Sequence, residues 1–235
     1  MIFRAVRTAP GARLIFVGDI HGCYDELVEL LDRVAPAGDD LVISVGDVVT
    51  KGPAAARCLD LWRSRGYLAV KGNNELKILE RALPLLRFLA IADRDVLVRK
   101  DLLRYIDSWP LVLDFPDAGV TAVHGGFLPL MNVTEEDVAR ESDVVPKLRW
   151  IRKKDGQWVH VPKSRKKKDD VLWSEKWKGE RTVVYGHTPL REPKFDKAAV
   201  GLDTGCVYGG ALSAALWKRG EWSVLSVPAR KKYAE

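Results

Sequence analysis

Cysteine, histidine and methionine are all scarce in this 235-residue chain, with three, four and two of them. Cys23, Cys58 and Cys206 are odd in number and widely spaced, with no Cys-x-x-Cys pair. That excludes a disulfide framework and a Cys-x-x-Cys zinc or redox site, so the thiols are expected to be reduced. No window approaches the roughly 20 consecutive apolar residues of a membrane helix. The opening MIFRAVRTAPGARLIF has no signal-peptide design. A cytoplasmic protein without a membrane partner is therefore expected. Internal repeats are lacking, and 47% hydrophobic content excludes a disordered chain.

Charge is present but uneven. Lys and Arg number 38 against 32 Asp and Glu, a formal +6, yet residues 147–168 hold ten basic residues and one acidic residue, Asp155. The rest of the chain is therefore net acidic. Trp150, Trp158, Trp173 and Trp177 fall in or just after this stretch, which marks a folded, positively charged surface segment rather than a linker. Within it, KSRKKK at 163–168 reads as a solvated loop, with contact to RNA or polyphosphate as the functional alternative.

Short apolar runs alternate with amphipathic stretches, the pattern of an α/β protein in one domain over 1–235. The runs predict strands at 13–17, 41–45 and 67–70, with helices at 24–34 and after Pro53, ending by Gly66. A helical insertion is expected at about 75–107, broken by Pro84 and by the polar 93–95. Strands are expected at 111–113, 120–123, 182–185, 199–202, 211–217 and 222–227.

The chemistry lies at the ends of these strands, where open α/β sheets place their sites. Asp19 and His21 stand in GDIHG, Asp47 in GDVVTKG, Asn73 in KGNNE, His124 in AVHGG and His187 in YGHTP. Three of the four histidines therefore follow a strand and adjoin glycine. Singly, each residue reads as a turn or a hydrogen-bonded loop residue. Jointly they supply mixed oxygen and nitrogen donors suited to two ions sharing a carboxylate, drawn from Mn, Fe, Co or Zn, with Mg also admissible.

GDIHG, GD-x-V-x-K-G-P, GNNE, HGG and GHTPL, in this order from Gly18 to Leu190, resemble the calcineurin-like metallophosphoesterases of the phosphoprotein phosphatase superfamily, and within them the ApaH-like branch. GLDTGCVYGG at 201–210 is similar to the same branch. The resemblance implies a β-sandwich flanked by helices with a dinuclear metal site at the strand ends. It further implies that Asp19, His21 and a bridging Asp47 hold one ion, and that Asp47, Asn73, His124 and His187 hold the other.

The sequence departs from the wider superfamily at two linked positions. Where that superfamily has the His of GNHE as general acid and the Asp of DRG supporting it, this chain has Asn74 and Thr50. An amide delivers no proton as imidazolium does. Expelling an alkoxide needs such an acid, whereas a terminal phosphate has a second pKa of about 6 and leaves as a stable anion. A phosphoanhydride substrate is therefore expected, cleaved by a metal-bridging water: a dinucleoside polyphosphate such as diadenosine tetraphosphate, or the 5′ cap of RNA. Lys51, Asn74, Arg149 and Arg152 are the candidate substrate contacts, with RNA 5′ ends reaching segment 147–168. Trp150 and Trp173 are candidates to stack a base, against the more usual role of a core tryptophan. Glu175, in LWSEKW, resembles the acidic position of the family's WSD segment. A serine/threonine phosphatase, an inorganic polyphosphatase and an RNA-binding pseudoenzyme are the alternatives.

Overall fold

The computed structural model describes residues 1–82, 96 and 99–235. Its first half runs β1 (Phe3–Ala5), β2 (Leu14–Val17), α1 (Tyr24–Val34), β3 (Leu41–Ser44), α2 (Ala55–Ser64), β4 (Leu68–Ala69), α3 (Asn73–Ala82) and α4 (Lys100–Asp107). There follow β5 (Val112–Phe115), β6 (Val120–Val123), α5 (Glu135–Arg140), β7 (Trp150–Lys154), β8 (Gln157–Val161) and β9 (Val171–Leu172). The last third forms β10 (Thr182–Tyr185), β11 (Lys194–Asp196), β12 (Ala199–Gly201), β13 (Ala211–Lys218) and β14 (Glu221–Pro228).

Two sheets carry the fold, in the orders β1-β5-β6-β10-β12-β11 and β14-β13-β2-β3-β4, and a third small sheet has the order β8-β7-β9. The side-chain period of two explains why β2 is buried throughout. Leu14 and Phe16 enter a core with Phe115, Val184 and Ala215 between the two large sheets, while Ile15 and Val17 face Leu27, Leu30 and Trp62 of α1 and α2. Leu27, Leu30, Leu31 and Val34 recur at helical spacing, so α1 buries one stripe against β13 and β14. A third core lies on the outer face of the six-stranded sheet, where Trp173, Trp177, Phe127 and Tyr185 meet. The result is the expected β-sandwich flanked by helices.

Strands β2, β3 and β4 run parallel in one sheet, and β6, β10 and β12 run parallel in the other. Parallel strands end on the same edge, so the turns after all six converge at one rim of the sandwich. Of the expected helical insertion, α3 and α4 form its two ends; Pro84 and 93–95 lie outside the described residues. All three cysteines are buried, and none forms a disulfide among the described residues. No helix among the described residues is long and apolar enough to cross a membrane.

Candidate metal centre

Five of these six turns each deliver one or two of the side chains singled out above. Asp19 and His21 follow β2, Asp47 follows β3, Asn73 opens α3 just after β4, and His124 and His187 follow β6 and β10. They group as two donor sets: Asp19, His21 and Asp47 in one, and Asp47, His124 and His187 in the other, with the donor atoms of each set within 4.8 Å of one another. Asp47 belongs to both. Its Oδ2 lies 3.5 Å from His21 Nε2 and its Oδ1 lies 3.3 Å from His124 Nε2. Asn73 joins the second set, with Oδ1 3.2 Å from His124 Nε2.

The backbone fixes which ring nitrogen faces inward. Nδ1–H of His21 donates to Val49 O and Nδ1–H of His124 to Val45 O, both at 2.9 Å, and Nε2–H of His187 donates to Lys147 O at 3.2 Å. A carbonyl only accepts, so in the neutral form of each ring the other nitrogen turns a lone pair to the cluster. The turns are strained: His21, Asp47, Thr50, Lys51 and His187 all have φ between 46° and 71°. Such a concentration of left-handed non-glycine residues is usual where function dictates the backbone. Glycine is required beside them at Gly186, where a Cβ would collide with the Asp19 carboxylate, and at Gly46, with φ +97 and His124 Nδ1 2.9 Å from an added Cβ.

Two buried carboxylates to which the motifs assign no role complete the arrangement. Glu75 is wholly buried and accepts from Gly72 N (2.8 Å), Asp47 N (2.9 Å), Val48 N (2.9 Å) and Val49 N (3.2 Å), binding the turns after β3 and β4 together. Burial first and then Asp47 push its pKa up to about 7. Asp203 follows β12, accepts from Gly205 N at 3.0 Å, and lines the same small cavity as Asp19. Its pattern, apolar run then glycine then carboxylate in VGLDTG, is the one that marks the other ligand candidates and is present in the sequence.

The electrostatics favour cations. Burial, then Asp203, drives the Asp19 carboxyl well above its usual range. Burial would do the same to Asp47, but the imidazoles of His124 and then His21 outweigh it and hold that carboxyl well below. Burial opposes the charge on His124, yet Asp47 and Asp19 push it up to about 10; burial brings His21 down to about 4 in spite of Asp47. An ammonium already occupies part of the space, with Lys51 Nζ donating to His21 Nε2 at 2.8 Å. Three carboxylates and three inward ring nitrogens that already attract protons and an ammonium are a donor set that fits divalent metal ions.

The candidate substrate contacts divide. Lys51, Asn74 and Arg149 line the centre, and Arg149 presents a buried Nε without a partner. Asn74 donates its backbone N–H to Asp47 Oδ1 at 3.0 Å and its amide to Oδ2 at 2.5 Å. Arg152 is not brought to the site: its guanidinium donates to both oxygens of Asp170 at 2.6 and 2.7 Å, tying β7 to the loop before β9. Trp173 is fully buried among Phe127, Trp177 and Tyr185 and leaves no ring face open to a base, a correction the apolar context explains. Trp150 is half-buried and lines a cavity beside the centre. Glu175 is exposed and pairs with Lys194 at 3.3 Å.

Comparison with known proteins gives a consistent picture. Residues 12–216 match the sequence model of the family described as calcineurin-like phosphoesterase. The asymmetrical bis(5′-nucleosyl)-tetraphosphatase PrpE of Halalkalibacterium halodurans is 28% identical over 242 residues, covering 92% of this chain and 93% of that protein. The symmetrical bis(5′-nucleosyl)-tetraphosphatase of Vibrio campbellii is 26% identical over 264 residues, covering 86% and 94%. A crystal structure provisionally assigned as a diadenosine tetraphosphatase superposes with a TM-score of 0.83 at 30% identity, covering 97% of this chain and 98% of that one. A serine/threonine phosphatase from Saccharomyces cerevisiae shares the fold at 12% identity and TM-score 0.61, covering 98% and 84%.

Proposed function

Since this chain belongs to the calcineurin-like phosphoesterases and is a metal-dependent hydrolase, we propose that it cleaves phosphoanhydride bonds in nucleotides, with dinucleoside polyphosphates such as diadenosine tetraphosphate as its substrates. The relatives named above act, by their names, on that class. The observation that carries the reading is Asn74. It takes the place of a general acid, and its amide donates to Asp47 instead of presenting a titratable proton to a leaving group. Thr50 Oγ1, 3.4 Å from His21 Nδ1, supplies no charge to support one.

In this reading Asp19, His21 and Asp47 hold one divalent ion, and Asp47, Asn73, His124 and His187 a second. When bound, the ions supply charge to the phosphoryl oxygens and make a water acidic enough to attack near neutral pH. Arg149 directs its unpartnered Nε to the phosphate, and Lys51 neutralises the departing phosphate chain. Glu75 and the strained turns hold the donors in place, so little reorganisation accompanies the reaction. The 5′ cap of RNA contains the same anhydride linkage, and the exposed lysines at 166–168 are the surface that would accept the RNA.

The test assays the purified protein with Mn, Co, Zn and Mg against diadenosine tetraphosphate, capped RNA, inorganic tripolyphosphate and a phosphopeptide. The anhydrides should exceed the phosphopeptide in kcat/KM by about 10² or more, the contribution of a missing general acid. Asp47→Asn should lose more than about 100-fold in turnover, beyond what removing an outer-shell partner of a metal costs, and should retain fewer than two ions per chain. Equal rates on phosphopeptide and anhydride would remove the substrate argument. Wild-type metal content and turnover in Asp47→Asn would remove the shared-carboxylate centre.

A further inference from the structure

Beside the centre lies a cavity of about 630 Å³, within the size range of small-molecule sites. Lys51, Asn73, Asn74, Arg149 and His187 line both it and the centre's side, so the two are continuous. Its far wall is built by the β7–β8 hairpin. Trp150 and Val161 are paired directly across the two strands, and His160 and Pro162 extend the wall. Around it stand Lys77, Lys147, Arg149 and Lys163, against one lining carboxylate among the described residues, Asp143.

We propose that this cavity seats a nucleoside of the substrate, with its base against Trp150 and its phosphate chain running past Lys147 and Arg149 to the centre. The inference rests on the anhydride-hydrolase reading and adds to it the recognition of a base. Cations alone would suffice for inorganic polyphosphate, which has no apolar surface to bury. An aromatic and aliphatic wall next to a cationic rim matches a ligand with an apolar ring at one end and phosphates at the other. At present Lys166 Nζ lies 5.4 Å and Arg149 Cζ 5.9 Å from the centroid of the Trp150 ring. Such contacts at exposed sites are weaker than base–aromatic stacking, and Lys166 is a flexible, exposed side chain, so a base displaces it readily. His160 gives the seat a polar edge. Burial, then Lys147, keeps its imidazole below the ordinary value, so at neutral pH it offers one donor and one acceptor nitrogen to a base. The exposed carboxylate of Asp143 is a further acceptor for an exocyclic amine or a ribose hydroxyl.

Calorimetry with a diadenosine tetraphosphate analogue and an inorganic triphosphate analogue, each with every phosphate bridge replaced by methylene and so not hydrolysed, measures the seat without reference to turnover. In wild type the dinucleotide should bind at least about 10-fold tighter, and Trp150→Ala should reduce that preference about 10-fold, within the range for losing one stacked aromatic. Trp150→Phe should restore most of it, and His160→Ala should reduce it independently, so the outcome does not hang on how one strand residue tolerates truncation. Equal affinity of wild type for the two ligands, or a preference unchanged in both Trp150→Ala and His160→Ala, overturns the seat. Tight, Trp150-dependent binding by a wild type that fails to hydrolyse diadenosine tetraphosphate supports the seat and overturns the hydrolase reading instead.

Discussion

Asn74 and Thr50 illustrate how a catalytic task is set by single residues. Thr50 has φ +71, a conformation costly for a β-branched side chain and easier for aspartate. The backbone at this turn therefore already suits the acid-supporting residue that the wider superfamily places there. Thr50→Asp combined with Asn74→His is expected to raise kcat/KM on alkyl phosphates by up to about 10² to 10⁴, the usual worth of a positioned general acid. Asn74→His alone should do less, since an unsupported imidazole is poorly oriented and less often charged at neutral pH. A series of phosphate esters of graded leaving-group pKa, run on wild type and both variants, measures this; a wild type indifferent to leaving-group pKa would mean that another acid is present. The six ligand candidates were legible because each follows an apolar run beside glycine. Glu75 was not, because three of its four bonds reach a turn 26 to 28 positions away.

Among the elements, the β7–β8 hairpin is concealed in the sequence by its own charge. Asp155 and Gly156, with φ 49° and 81°, form the two-residue turn that Asp-Gly favours between antiparallel strands. That signal stands in KKDGQ, but the density of charge there points to a surface segment and masks the strands on either side. The three-residue β1 and β11 escape notice for a different reason, being too short to show a period. By contrast α1 and β6 match their expected bounds, because long amphipathic and fully apolar runs are the strongest local signals. The hairpin is tied down by Asp170. Hydrogen bonds from Arg152, above all, keep the Asp170 carboxyl below its ordinary value. A carboxyl depressed in the folded state contributes stability above its unfolded pKa of about 3.9 and loses it as pH falls through the folded value. Asp170→Asn should therefore lower the melting temperature at pH 7, and the gap to wild type should close as pH falls from about 5 to 2. A gap that stays constant across this range would show that Arg152 contributes by packing and not by charge.

On the scale of the whole molecule, a net +6 conceals a basic face and a slightly acidic remainder. Lys166, Lys167 and Lys168 are exposed at the edge of the small sheet, and their replacement by Gln should raise KM for capped RNA or long polyphosphate far more than for a small aryl phosphate. The salt dependence of RNA binding should flatten by up to about 0.7 in log–log slope for each RNA phosphate that is no longer neutralised by a lysine. Equal small effects on short and long substrates would leave the loop with no role beyond solvation. The pairing of β2 with β13, which sets Val17 opposite Ala214, has a consequence for synthesis. Asp19 meets the backbone of His187 across 168 positions, so at about 5–20 residues per second the first donor of the centre precedes the last by on the order of 10–30 s. Through the first part of that interval the nascent chain carries Asp19, His21 and Asp47 without His124, the imidazole that lowers the Asp47 carboxyl most, and until β13 is made β2 lacks one of its two neighbours. The second donor set therefore stays incomplete until His187 has been made, whereas the first is present in the chain once Asp47 is.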